Sequence, residues 1–355
     1  MLDNGKAEGV RKIKRFEKYC LKDIATVSQG FTFSRLYQGK KNLKWNYFKV
    51  ADIGLNPNSK YLTNAINTIS DITMEEIGAL PFPKGSIVFP RVGAALFNNN
   101  KKILAQDGVV DDNVLVLTVT DTSKCWHEFL YYYLQGIPLA KWCNSGLVPV
   151  INTKTVLSQM VFLPSLPEQQ KIATILSTQD KVIELKEKRL AQKQQQKKYL
   201  MQQLLTGKKR LPGFCEKWTR KQLGELFENR VEINRSDLGL LAITSTRGIL
   251  PRDCLDLKDN SSEDKSKYLR ICPGDIGYNT MRMWQGVSAY SEYEGIVSPA
   301  YTILAPMEGV YSHYFAYLFK TQSVIFSFYR FSQGLVDDTR NLKYENFKKI
   351  SVSIP

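Results

Sequence analysis

Apolar and polar positions alternate with helical spacing over one unusually long stretch of this chain. Steps of four and three residues taken in turn from Ile172 pass through Leu176, Gln179, Ile183, Lys186, Leu190, Lys193, Lys197, Leu200 and Leu204, and apolar side chains hold six of these ten positions. The stripe predicts a coiled-coil-type helix with polar interruptions in its seam. Ser165 and Glu168 have capping-box spacing, and Pro167 falls in a first turn where its missing N–H is not needed, so the helix is expected to begin near Leu166. Thr206-Gly207-Lys208 supplies the stop, because glycine takes the left-handed cap conformation and lysine suits the negative end of the helix dipole. About thirty-eight residues rising 1.5 Å each predict a rod of about 57 Å. Taken alone, the pattern fits a charged linker helix or a homodimeric coiled coil.

On either side the period changes. Short β-rich runs such as Ser86-Ile87-Val88-Phe89 and Val114-Leu115-Val116-Leu117 are separated by Gly, Pro and Asn. An aromatic helix is predicted from His127, and a last strand from Met160 to Leu163 is closed by Pro164. The segment after the rod repeats this plan. Pro83-Lys84-Gly85-Ser86-Ile87 matches Cys272-Pro273-Gly274-Asp275-Ile276 at Gly and Ile, and Gly108-Val109-Val110 matches Gly295-Ile296-Val297. His127-Glu128-Phe129 matches His313-Tyr314-Phe315, Gly146-Leu147-Val148 matches Gly334-Leu335-Val336, and Asn152-x-Lys154 matches Asn341-x-Lys343. At the start of each copy, Glu17-Lys18-Tyr19 is aligned with Glu216-Lys217-Trp218. Matches in one order at a near-constant offset predict two copies of one α+β domain flanking one helix. The expected organisation is a basic N-terminal segment 1–18, a first domain 19–164, the helix 165–208 and a second domain 209–355.

Composition narrows the function. The 355 residues carry a formal net charge of +15, with a pI of about 9.4, which points to a polyanionic partner, nucleic acid first. No run of eighteen apolar residues is present and the N-terminus is charged where a signal peptide would be apolar, so a cytoplasmic protein without a membrane partner is expected. The six cysteines form no C-x-x-C pair and there are two histidines, which predicts reduced thiols and no metal site. His127 and His313 open aromatic-rich helices and are given no catalytic role. The sequence has no nucleotide P-loop, no G-x-G-x-x-G loop, no H-E-x-x-H and no Asn/Asp-Pro-Pro-aromatic segment. The adjacent acids Asp111-Asp112 and Asp337-Asp338 have no spaced lysine and further carboxylate of nuclease type. A non-catalytic reader is expected.

The start of the long helix, LPSLPEQQKIATIL from Leu163, and its end, LLTGKKRLPGF from Leu204, resemble the specificity subunits of type I restriction-modification systems. So do the Gly85–Gly93 and Gly146–Pro164 segments and the repeated domains. The resemblance implies two target recognition domains, each reading one half of a bipartite double-stranded DNA sequence, with the helix fixing their separation. It further implies methyltransferase (modification) subunits docked on the rod and motor-nuclease (restriction) subunits added to them. Adenine N6-methylation would be theirs, with S-adenosylmethionine, ATP and Mg bound by those partners and no cofactor in this chain. Members of the family usually carry a second long helix after the second domain. Here the sequence ends at Pro355, so a truncated, recombining allele or a helix supplied by a second specificity chain or fragment is expected. A non-catalytic nucleic-acid-binding scaffold is the rival reading.

For DNA contact the candidates lie after the strand 86–89 and at the equivalent place in the second copy. Arg91, Asn98, Asn99, Lys101 and Lys102 are expected there in the first, with the lysines on phosphates and Arg91 on a base. Asn279, Arg282, Trp284 and Gln285 are expected in the second. On the helix, Ile172, Leu176, Ile183, Leu190, Leu200 and Leu204 are the expected subunit contacts.

Overall fold

The apolar runs around residues 87 and 114 are continuous because their strands are covered on both faces, which removes the in–out alternation of a half-exposed sheet. In a computed structural model of the chain, residues 16–55, 59–144, 146, 148–244, 247–255, 262 and 264–355 are described. Most of the expected basic N-terminal segment, and Leu147 of the repeat, lie outside them. The chain divides into two compact units, one up to Leu190 and one from Ala191 to Pro355.

In the first unit β1 (Glu17–Cys20), β2 (Ala25–Gln29), β3 (Ile87–Pro90), β4 (Lys102–Leu104) and β5 (Val114–Val119) are followed by helix α1 (His127–Gln135), helix α2 (Thr153–Leu157) and strand β6 (Met160–Leu163). The main sheet has the order β2-β5-β3-β4, extended by Tyr61–Leu62. Ile87 stands opposite Leu117 and Phe89 opposite Leu115, and these four side chains face α1 through Phe129, Leu130 and Leu134. On the other face Val88, Val114 and Val116 pack against Phe48, Ile53 and Val110. A three-stranded sheet of Trp45–Phe48, Asn67–Ile69 and Val109–Val110 stands beside it.

The second unit repeats this order with β7 (Thr219–Gln222), β8 (Phe227–Asn229), β9 (Ile276–Asn279), β10 (Ser288–Tyr290) and β11 (Tyr301–Pro306), then α4 (Ser312–Leu318), α5 (Gln322–Phe331), α6 (Tyr344–Phe347) and β12 (Ser351–Ile354). The sheet order β8-β11-β9-β10 equals β2-β5-β3-β4, and Ile276 faces Leu304 as Ile87 faces Leu117. Gly85 and Gly274, matched in the sequence, both open the third strand of their sheet with φ near +90°, a conformation that a Cβ would strain. The aligned starts are corrected by the strand pairing. Glu17 pairs with Leu163 and Thr219 with Ile354, so Glu17–Cys20 corresponds to Thr219–Gln222 and not to the segment from Glu216. The fully buried Leu21 and Leu223, which follow these strands, set the register.

The long helix α3 runs from Leu166 to Leu204, and the turn that follows it carries Gly207 at φ +70°. The division between units falls inside it, and each end is built into its own unit. Near the start Ala173 is buried, Ser177 accepts from Lys60 Nζ at 2.9 Å and Asp180 accepts from the Tyr132 hydroxyl at 2.6 Å. Near the end Leu205 packs on the second core and Lys197 lies 5.2 Å from the Tyr317 ring centre. Gln169 is the one polar side chain of the helix that is fully buried. Its Oε1 accepts from the Trp126 N–H at 2.9 Å, and its Nε2 donates to the Lys124 and Pro164 carbonyls at 2.8 and 2.9 Å. Among the described residues no helix is long and apolar enough to cross a membrane.

Candidate nucleic-acid interface

Each unit presents a loop directly after the third strand of its sheet. In the first, β3 ends at Pro90 and the chain passes Arg91 and Gly93 into a short helical turn, Ala94–Asn98. Arg91 is half-buried and its Nη1 donates to the Asp112 carbonyl at 3.3 Å; Asn98 and Phe97 are exposed. Asn99 closes the turn in the left-handed conformation, φ +53°, a role its short amide side chain tolerates.

The two lysines expected on phosphates do not reach solvent. Lys101 and Lys102 are each 2% exposed. Lys101 Nζ donates to Asn99 Oδ1 at 2.7 Å and to the Ile137 carbonyl at 2.9 Å, and Lys102 Nζ donates to the Ser59 carbonyl. Burial pushes the Lys101 ammonium down to about 8 and lowers Lys102 as well. Asn99 belongs to the same interior set, since its Oδ1 also accepts from the Leu139 N–H at 2.9 Å. Lys101 therefore holds the loop to the C-terminal end of α1. The expectation of phosphate contact at Lys101 and Lys102 is corrected by this burial; Asn99 is half-buried with its Oδ1 engaged by Lys101 and Leu139, and Arg91 and Asn98 remain available from the first loop.

In the second unit the loop runs from Asn279 to Gly286. Asn279 is half-buried and its Oδ1 accepts from the Met281 N–H at 2.9 Å, so it shapes the turn from within. Arg282 and Gln285 are exposed, while Trp284 is half-buried with its indole N–H on the Met281 carbonyl at 2.9 Å. The indole meets the Tyr329 ring edge-on at 6.1 Å, and the Arg340 guanidinium lies 3.9 Å from the centre of that same ring. Trp284, Tyr329 and Arg340 thus form one chain of contacts beside Arg282 and Gln285, and Tyr329 of α5 and Arg340 beyond its end are residues the sequence did not single out.

A second lysine does for this loop what Lys101 does for the first, but from the other side. Lys320, just after α4, donates from Nζ to the Gly286 and Ser288 carbonyls at 2.7 and 2.6 Å, and burial pushes it down to about 8. In one unit the lysine is carried by the loop and grips the region after the helix; in the other it is carried after the helix and grips the loop. In both units a buried ammonium group ends on oxygen acceptors that join the loop region to the segment after a helix. No sequence match connects the two, because the donors come from different positions.

The remaining candidates take structural places. His127 packs beside Gly85 and 4.8 Å from the Trp126 ring, and burial holds its imidazole below the ordinary value. His313 is ringed by Tyr290, Tyr311 and Tyr317. Asp111 Oδ1 accepts from the N–H and Nδ2 of Asn113, and Asp337 pairs with Arg340 at 2.9 Å. Among the described residues no group of His, Cys, Asp and Glu is placed to hold a metal ion. On the helix, Leu176, Ile183, Leu190 and Leu200 are exposed, while Ile172 and Leu204 are half-buried where α3 joins each unit.

The structure resembles the S subunit of a type I restriction-modification system from M. genitalium, with a TM-score of 0.59, 14% identity and coverage of 98% of this chain and 86% of that one. It also resembles a chain from a structural study of complex assembly and conformational transition of the type I R-M system, with a TM-score of 0.53, 12% identity and coverage of 96% and 86%. At these identities the likeness establishes the fold. In sequence, 94 residues are 36% identical to the type I restriction enzyme MjaVIII specificity subunit of Methanocaldococcus jannaschii, covering 25% of this chain and 22% of that protein. The match thus spans about a fifth of that relative. Residues 13–195, just over half of the chain, match the family described as type I restriction modification DNA specificity domain. That match takes in the first unit and the start of α3 with its buried Gln169, and the chain belongs to the type I restriction-modification DNA specificity family.

Proposed function

We propose that this chain reads a bipartite double-stranded DNA sequence and directs the adenine methylation and restriction carried out by partner subunits. The observation that carries this reading is the duplication itself. The scaffolds agree in strand order and register, while the loops after β3 and β9 differ in length and side chains. One scaffold with two different loops is what two different half-sites require. Arg91 and Asn98 in one unit, and Arg282 and Gln285 in the other, are side chains able to donate to base edges or phosphates. The chain supplies binding only. S-adenosylmethionine, ATP and Mg belong to the methyltransferase and motor-nuclease subunits, and the exposed Leu176, Ile183, Leu190 and Leu200 of α3 offer the methyltransferase subunits an apolar seam.

The test is selection from a randomised duplex pool by the chain co-expressed with type I methyltransferase subunits. Two short fixed sequences separated by an unspecified spacer are expected, and replacing the loop 91–100 should change one of them and leave the other. Recovery of a single continuous sequence, or of none, would refute the reading. If the same pool of RNA were bound with equal preference, the scaffold reading would replace it.

A further inference from the structure

The halves agree at one place where a purely sequence-reading surface would not need to. Gly-Leu-Val stands at 146–148 and again at 334–336, next to reading loops that differ. In the second unit Leu335 is 100% exposed and Val336 60%; in the first, Val148 is 57% exposed. These side chains contribute nothing to either core. Their loops are nevertheless firmly tied to the reading loops. Gln333 and Asn341 exchange backbone hydrogen bonds of 2.8 Å, and the Leu342 N–H donates to the Thr280 carbonyl at 2.9 Å. Arg340 then stacks on Tyr329, which meets Trp284. In the first unit Gly93 N–H donates to the Pro149 carbonyl and Ile151 N–H to the Arg91 carbonyl, both at 2.9 Å. Of the two acids beside Leu335, Asp337 is paired with Arg340 and Asp338 is exposed.

We propose that the Leu335–Val336 tip is an apolar wedge that enters the duplex at a base step of the second half-site, with Val148 marking the corresponding tip of the first unit. This rests on the DNA-reading function above. An aliphatic side chain carries no donor or acceptor, so the same Leu-Val pair can be repeated in the sequence beside loops that differ. Leucine is among the residues that architectural proteins insert between bases, unstacking the step and kinking the duplex. An opened step also suits the partner reaction, because an enzyme that modifies a base must take that base out of the stack.

The experiment uses the full chain and a duplex of its selected sequence, with 2-aminopurine placed in turn at each position of the second half-site. The wild type is expected to raise the fluorescence at one step severalfold. Leu335→Ala and Leu335→Ser should lose that rise and weaken binding about tenfold, the order of one lost apolar contact, with the selected sequence unchanged. Because Leu335 touches no core, both variants should melt with the wild type. Unchanged affinity and fluorescence in Leu335→Ala would overturn the wedge and leave DNA reading standing, whereas a wild type that selects no sequence would defeat the function itself. If Leu335→Ala keeps the fluorescence but loses the methyltransferase subunits on co-purification, the tip is a protein contact and the wedge is wrong.

Discussion

Gln169 is the side chain whose removal should cost the first unit most for its size. It is fully buried, and its amide makes three hydrogen bonds of 2.8–2.9 Å, to the Trp126 N–H and to the carbonyls of Lys124 and Pro164. These groups belong to the segment that opens α1 and to the turn between β6 and α3, so one side chain ties three stretches of backbone together. Gln169→Ala removes all three bonds and leaves their partners without a replacement. At about 1 kcal/mol net for each bond the loss is about 3 kcal/mol, and stranded buried groups push it higher. For a unit of this size that corresponds to a fall in Tm of roughly 6–12 °C. The assay is a calorimetric melt of the full chain beside Gln170→Ala, the exposed neighbour in the same motif, which should stay within about 0.5 kcal/mol of wild type. Equal melting of the two variants would show that the buried amide is not what joins helix to domain.

Lys101→Glu should act through stability and not through phosphate contact, because it places an anion against the Asn99 oxygen and the Ile137 carbonyl; a loss of about 3 kcal/mol or more is expected, and a stable variant with a reduced salt slope of DNA binding would contradict the burial. The pH dependence has a definite sign. With Lys101 and Lys320 held near 8 in the folded chain against an ordinary 10.5, the unfolded chain binds more protons between about pH 8 and pH 10, so their contribution to stability rises with pH there and is flat below. Urea melts of wild type and Lys320→Met across that range should show the difference, and parallel curves would remove the basis for it. Leu190→Gln, at a position 60% exposed, should change stability by less than about 0.5 kcal/mol yet weaken co-purification with methyltransferase subunits, and full retention of those subunits would argue against the seam.

What the sequence determined is what depends on neighbours along the chain. Helical spacing, a proline in the first turn and a terminal glycine placed the start of α3 near Leu166 and its stop at Thr206-Gly207-Lys208, close to the observed Leu166–Leu204, because those signals act within a turn or two of each other. Gly85 and Gly274 announced the turn before the third strand, and their shared order with the strands around 110, 297 and the aromatic helices revealed the duplication. Tertiary structure decided where long side chains finish. Lys101 and Lys102 read as surface cations, yet their ammonium groups end on the carbonyls of Ile137 and Ser59, residues far away in the chain that no local pattern connects to them. It also decided the alignment of the first strands, since Glu17 and Thr219 are equivalent only through their pairing with Leu163 and Ile354. The physical reason is the same in each case: periodicity reports which face of an element is apolar, whereas a buried polar group is placed by the particular carbonyls and amides that satisfy it, and these are assembled only when distant segments meet.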